Sequence, residues 1–227
     1  IAEPGIILKT KDGGKHWKKV FEDATKGMFL DAMDFADEKV GAVIGDPIDR
    51  AVYISFTRAQ GDSWEKVDIA GDGRISLAKD GEAFFASSGT NIKISNSAPH
   101  LIFVSGGKSS RLFLDGSRDS LPIIQGKEST GANSIAVYKN RRAIVVGGDF
   151  AKDTISSKNC VLINLKRRIH FTKPHTPPHG YRSCVIYLNT KTLLTCGTSG
   201  IDISNDGGIN WQLLSKHRFH VCHKAKK

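Results

Sequence analysis

Long apolar runs are what this 227-residue chain most plainly lacks. No stretch approaches the ~18 residues of a membrane-spanning helix. The longest, such as AIVV at 143–146, have strand length. Helical periodicity is sustained nowhere, which argues against bundles and against the strand–helix alternation of α/β folds. There are four cysteines, Cys160, Cys184, Cys196 and Cys222, and none belongs to a C-x-x-C pair. Neither a zinc knuckle nor a thioredoxin-type centre is therefore spelled out. No G-x-G-x-x-G opens a helix, so no dinucleotide site is read. SGGKSS (105–110) imitates a phosphate loop but has Ile102 where the first glycine belongs. DIAGDGRISLAK (68–79) imitates a calcium loop but puts Ala70 and Lys79 where oxygen ligands belong. His217, His220 and His223 alternate faces if extended, so no metal and no other cofactor is expected.

What is present is glycine and positive charge. With 23 glycines, 39% hydrophobic and 25% charged residues, the chain reads as one globular, turn-rich domain over 1–227. The net charge of +10 is densest in Lys166–Arg182 and Lys216–Lys227. Basic stretches attract anionic surfaces, but no stacking aromatics are interleaved with them, so no specific nucleic-acid partner is read. Ile1 opens the chain, and a removed signal sequence or an upstream segment would both fit. Cys184 and Cys196 flank the hairpin SCVIYL–NTK–TLLTCG and should sit opposite one another. A disulfide there and a pair of buried thiols both stay open, the thiols being favoured.

A repeat organises the rest. Apolar runs ending in glycine recur as GAVIGDP (41–47), LIFVSGG (101–107), AIVVGGD (143–149) and TLLTCGT (192–198). Each leads into a second strand-like run and then a turn. The turns are TKDGGKHW (10–17), TRAQGDSW (57–64), FLDGSRDS (113–120), INLKRRIHF (163–171) and SNDGGINW (204–211). Asp12 and Asp206 lie 194 positions apart over four intervals, a period of about 48 that suits a four-stranded propeller blade. Aspartate bonds its own backbone and glycine accepts positive φ, so the turns are locally encoded. The tryptophan is expected to fold back over its hairpin and bury a large apolar face.

The pattern [ST]-x-D-G-G-x-x-W resembles the Asp-box, or BNR repeat, of sialidases, sortilin-type receptors and photosystem II stability/assembly factor-like proteins. GDP (45–47), ASSGTN (86–91), ESTG (128–131), GGDF (147–150), GYRSC (180–184) and GTSG (197–200) are similar to the assembly-factor-like branch of bacterial envelopes. The resemblance implies an all-β propeller of four-stranded blades, six-bladed or seven-bladed when intact. About five blades are expected here, with GIILKT read as a third strand and FHVCHKAKK as the first strand of a further blade. It also implies that the boxes are structural hairpins away from the ligand face. Asp12, Gly13, Trp17, Trp64, Asp115, Asp206, Gly207 and Trp211 are then architecture.

On the opposite face the same geometry gathers Asp46, Thr90, Asn91, Glu128, Ser129, Thr130, Asp149, Tyr181, Arg182, Thr198 and His220 as candidate ligand-binding residues. EAFFASSGTN is read as the inner strand of the third blade. Arg182 offers a forked donor to a carboxylate, and the alternative is that Glu128 and Arg182 pair with each other beside a wet channel. The leading expectation is a monomeric, non-enzymatic binding or assembly scaffold, periplasmic or secreted, with a protein or carbohydrate partner. The second is a glycoside hydrolase using Glu128 and Asp149. Sialidases bring three arginines to their substrate and carry an FRIP-like motif, whereas here Arg182 stands alone and no FRIP occurs.

Overall fold

In the computed structural model, residues 3–67, 77–98, 100–166 and 168–225 are described. The calcium-loop imitation lies outside them up to residue 76. The chain opens as an antiparallel hairpin of β1 (Gly5–Lys9) and β2 (Lys18–Asp23). A four-stranded meander follows, made of β3 (Leu30–Phe35), β4 (Gly41–Ile48), β5 (Ala51–Thr57) and β6 (Glu65–Lys66). After β7 (Glu82–Ala83) come β8 (Ile92–Ile94), β9 (Leu101–Val104), β10 (Gly106–Gly107), β11 (Arg111–Leu114) and β12 (Ser117–Ser120). Of these, β8, β9, β11 and β12 form the next meander. The third is β13 (Thr130–Tyr138), β14 (Arg142–Asp149), β15 (Cys160–Asn164) and β16 (His170–Thr172), with β10 and β7 added along the edge of β13. The last is β17 (Cys184–Tyr187), β18 (Leu193–Gly197), β19 (Gly200–Ser204) and β20 (Gln212–Ser215). Four meanders and a hairpin, in chain order, make a β-propeller.

The core is a series of interfaces between successive sheets, because each sheet has two faces to cover and a neighbour on either side. Ala32, Ile44 and Ile54 meet Phe84, Ile92, Phe103 and Phe113. Ile102, Val104 and Leu112 then meet Ile135, Val145 and Val161. Ile144, Val146 and Cys160 meet Val185, Leu193 and Trp211. The inner strands touch directly at the hub. Ile135 N donates to Thr90 O at 3.0 Å, Val185 N to Ser134 Oγ at 3.0 Å, and Thr90 Oγ1 lies 2.7 Å from Ser134 Oγ. At this level the Thr90 and Ser134 hydroxyls bond each other between neighbouring sheets.

Three expectations are corrected. The third turn is a two-residue hairpin, Asp115–Gly116, between Leu114 and Ser117. The Asp115 carboxylate there accepts from His100 N and Leu101 N (2.9–3.1 Å) and closes no box-like turn. The inner strand of that blade is β8, which starts at Ile92 after EAFFASSGTN has ended. Residues 219–225 form no strand; they lie along β17, with Ser183 Oγ donating to His220 O at 2.7 Å and Lys224 Nζ to Leu188 O at 2.6 Å.

Candidate functional site

The between-sheet connections and the second-to-third-strand loops are tied together at one end of the fan. Phe84 N donates to Asp46 Oδ1 at 2.9 Å, Lys108 N to Gly81 O at 2.8 Å, Ile124 N to Lys158 O at 2.8 Å and Tyr181 N to Asp153 O at 2.8 Å. Glycine lets strands crowd beneath these loops. Gly131 has φ of 126°, and a Cβ there would stand 2.4 Å from Gly106 Cα. A Cβ on Gly106 would in turn stand 2.3 Å from the Phe85 ring.

The crowding supports an aromatic shelf. Phe85 meets Phe150 edge-on with centroids 5.7 Å apart, and Phe150 meets Tyr181 in the same way at 6.3 Å. Tyr181 is buried, and its hydroxyl donates to Asn133 Oδ1 at 2.7 Å, an oxygen that also accepts from Ser87 Oγ at 3.1 Å. Burial raises the pKa of the Tyr181 phenol, which stays a donor. Phe150 is 49% exposed, a large apolar group left in water beside bonded polar ones. Its amide donates to Ser129 O at 3.0 Å, which brings the exposed Glu128 to the edge of the shelf.

The other expected site residues divide by burial. Arg182 is fully buried and pairs with Asp202, so neither the free fork nor the Glu128 pairing holds. Its Nε donates to Asp202 Oδ2 at 2.7 Å, and Nη1 donates to Tyr181 O at 2.8 Å and Ser199 Oγ at 2.6 Å. Burial lowers the Arg182 pKa while the Asp202 carboxylate opposes the shift. Asp202 is shared with His179, whose Nδ1 lies 2.6 Å from Oδ1. A second buried pair, Glu82 with Arg111, fixes the neighbouring loop, with Arg111 Nε donating to Glu82 Oε1 at 2.8 Å. Asp149 is buried, and its Oδ1 accepts Ala151 N at 3.0 Å, capping a short 3-10 turn at Phe150–Lys152. Thr130 is buried against Lys127 O and Gly107 O. Asn91 is buried, its Nδ2 reaching Phe85 O at 3.4 Å. Thr90 belongs to the hub. Asp46 is half-buried, which raises its pKa against the bond from Phe84 N. Thr198 Oγ1 is buried without a partner. His220 is exposed on the last segment beside β17. The structure therefore brings Glu128, Ser129, Asp149 and Tyr181 around Phe150, withdraws Arg182, Thr130 and Asn91 into the interior and leaves Thr90 half-buried at the hub.

Sequence reasoning missed Phe85, Phe150 and Asp202. An acid at an inward position of a strand, as in GIDIS, calls for a buried cation, and that signal was available for Asp202. For Phe150 the signal was weaker: a phenylalanine following GGD in a loop has no partner until the fold supplies Phe85 and Tyr181.

No protein-family model matches this chain, and no curated protein matches it. Solved structures do. The chain is similar to YCF48 from Cyanidioschyzon merolae, at 14% identity and a TM-score of 0.50, over 92% of this chain and 66% of that one. The likeness is one of fold: a β-propeller. Two weaker likenesses are to YCF48 bound to D1 peptide and to the GH43 endo-arabinanase from Bacillus licheniformis. The first has 14% identity and a TM-score of 0.33, over 82% of this chain and 40% of that one. The second has 11% identity and a TM-score of 0.40, over 82% and 80%. The chain thus spans 40% and 66% of the two YCF48 chains it resembles.

Proposed function

We propose that this single propeller domain is a non-enzymatic binding or assembly scaffold of the Asp-box kind, working in the periplasm or outside the cell. It takes a protein segment, or another ligand with an apolar group and a polar neighbour, on the Phe85–Phe150–Tyr181 shelf. The observation that carries the reading is Phe150, half exposed at the centre of an edge-on aromatic row whose polar partners are already bonded. Exposed aromatics on a rigid support lose little side-chain entropy when covered, which is why such groups anchor recognition. Glu128 beside the shelf supplies a charge for an amine, a guanidinium or a hydroxyl. One of the structural neighbours, YCF48, is described with a bound peptide, which accords with a protein partner. The hydrolase reading needs two available carboxyl groups, and the commitment of Asp149 to its helical turn weighs against it.

The test compares the wild type with a Phe150→Ala/Glu128→Ala double variant in pull-downs from envelope extract. A discrete polypeptide held by the wild type and lost by the variant supports the scaffold. Identical capture by both sinks it. Turnover of aryl glycosides that disappears in Glu128→Gln would put the hydrolase in its place.

A further inference from the structure

Three of the four cysteines, far apart in sequence, converge on one point of the last sheet. Cys184 on β17 and Cys196 on β18 are register partners. Cys222, on the non-strand segment beside β17, places its sulfur 3.7 Å from Cys184 Sγ. The Cys184 thiol also points at Cys222 O at 3.5 Å, and Thr90 Oγ1 lies 3.8 Å from the Cys184 sulfur. Cys184 and Cys196 are buried, whereas Cys222 is partly exposed and is the thiol that solvent reaches. The fourth, Cys160, is sealed in the core against Trp211.

We propose that this cluster is an oxidation site in which a low-molecular-weight disulfide links Cys222 to Cys184 and fastens the last segment to the innermost strand. In the thiol state that segment is held by hydrogen bonds, among them Ser183 to His220 O and Lys224 to Leu188 O. Such bonds are individually weak against water, and a covalent link would outlast them.

Three features select Cys184–Cys222 over the cross-strand pair. A disulfide closes two sulfurs to ~2.05 Å, and Cys222 stands on backbone outside any sheet, free to make that approach. Cys184 and Cys196 are both fixed by strand pairing. An external disulfide meets Cys222 first. The thiols of Cys196 and Cys222, both donating to the Cys184 sulfur, also hold its pKa well below the ordinary thiol range, while those two donors are themselves pushed up. The thiolate is the nucleophile in exchange, and Cys222 reaches that form by passing its proton to Cys184 along the sulfur–sulfur contact it already makes.

The step balances. Cys222 passes its proton to the Cys184 thiolate, and its sulfur attacks R–S–S–R, forming Cys222–S–S–R and releasing RS⁻. The RS⁻ takes the Cys184 proton and leaves as RSH. The Cys184 thiolate then attacks Cys222 Sγ and expels a second RS⁻. The two protein sulfurs are oxidised and the external disulfide is reduced to two thiols.

The experiment exposes the folded protein to oxidised glutathione, alkylates free thiols and maps peptides without reduction. The expected product joins Cys184 to Cys222, with Cys160 and Cys196 alkylated. After trypsin cleavage at Arg218, the last segment should stay attached to the body until dithiothreitol is added. A Cys184–Cys196 link, any link to Cys160, or four alkylated thiols would overturn the proposal. Cys222→Ser changes a partly exposed residue and so spares folding. It should abolish the intramolecular link, and a Cys184–Cys196 bridge forming in it at the wild-type rate would equally overturn the assignment of Cys222.

Discussion

The first and last DGG hairpins are built alike and end up in opposite environments. In both, the leading hydroxyl accepts the N–H four residues on: Thr10 from Gly14 and Ser204 from Gly208, each at 2.9 Å. Both aspartates accept a further amide, Asp12 from His16 and Asp206 from Asn210, again at 2.9 Å. Both tryptophans donate Nε1 to the second glycine carbonyl at 3.0 Å. Yet Trp211 is 1% exposed and Trp17 is 59% exposed. The difference lies outside the hairpins. Trp211 packs with Ile144, Val146 and Cys160 of the preceding sheet. Trp17 lines an open cleft of about 340 Å³ with Lys9, Lys11 and Val20. The second turn agrees: Thr57 still accepts Gly61 N at 2.9 Å although Ala59 stands in the place of the aspartate. The motif builds a turn, and a neighbouring sheet decides whether its tryptophan stabilises anything.

The comparison can be broken most sharply at Trp211. Trp211→Ala should cost ~3–5 kcal/mol, as large aromatic deletions in cores do, measured by urea unfolding. A loss as small as that of a surface substitution would mean that the inter-sheet packing contributes little.

Glycine tests the same contrast at fixed backbone. Gly14 and Gly208 have φ of 94° and 95°, so alanine costs a shared ~1–2 kcal/mol of left-handed strain at either. A Cβ at Gly208 would also stand 2.7 Å from Ile144 Cδ1, whereas at Gly14 it meets nothing nearer than 3.8 Å. Gly208→Ala should therefore be the more destabilising, and equal losses would show that Ile144 yields freely.

Near the first hairpin, Asp31 sharpens the contrast by pH. It is buried beside Ile6, Leu8 and Met33, and neither carboxyl oxygen has a partner. Burial, with Asp46 adding to it, pushes its pKa from 3.8 up to about 9. The folded chain keeps a proton that the unfolded chain loses, so this group's contribution to stability falls as pH rises from about 4 to about 9. Asp31→Asn should raise Tm at pH 7 by several degrees and flatten the profile in that window. An unchanged profile would mean that Asp31 is ionised in the fold.

The smallest effect is expected at Trp17. Trp17→Ala should change stability by no more than ~0.5 kcal/mol, as exposed substitutions generally do. Acrylamide should quench the fluorescence of Trp17 and spare that of Trp211. A large loss at Trp17 would reveal a partner for its face in solution.

Much of the fold was legible because its signals are local. The ~48-residue period, the glycine-terminated runs and the hydroxyl–aspartate–glycine turns each depend on residues within a few positions of one another. The register of Cys184 with Cys196 followed from one hairpin. The candidate site was legible only in outline. GGDF and ESTG lie side by side, as β13 and β14 pair Thr130 with Asp149, but the residue of GGDF left exposed is Phe150. GYRSC holds a conspicuous arginine, yet Arg182 is consumed by Asp202, twenty positions on in a strand that looked purely structural. FHVCHKAKK looked like a strand, and it forms an irregular segment whose cysteine meets one from 38 positions earlier.

By itself, then, the sequence determined the all-β class, the repeat and the geometry of its turns, because backbone preference and hydrogen bonds across four or five residues suffice for these. Only the tertiary structure decided which tryptophan is buried, which charges neutralise each other, which aromatic ring stays in water and which thiols meet. Each of those depends on a neighbour delivered by a different sheet or a distant loop, and the free energy of burial belongs to the pair that comes together and to neither residue alone.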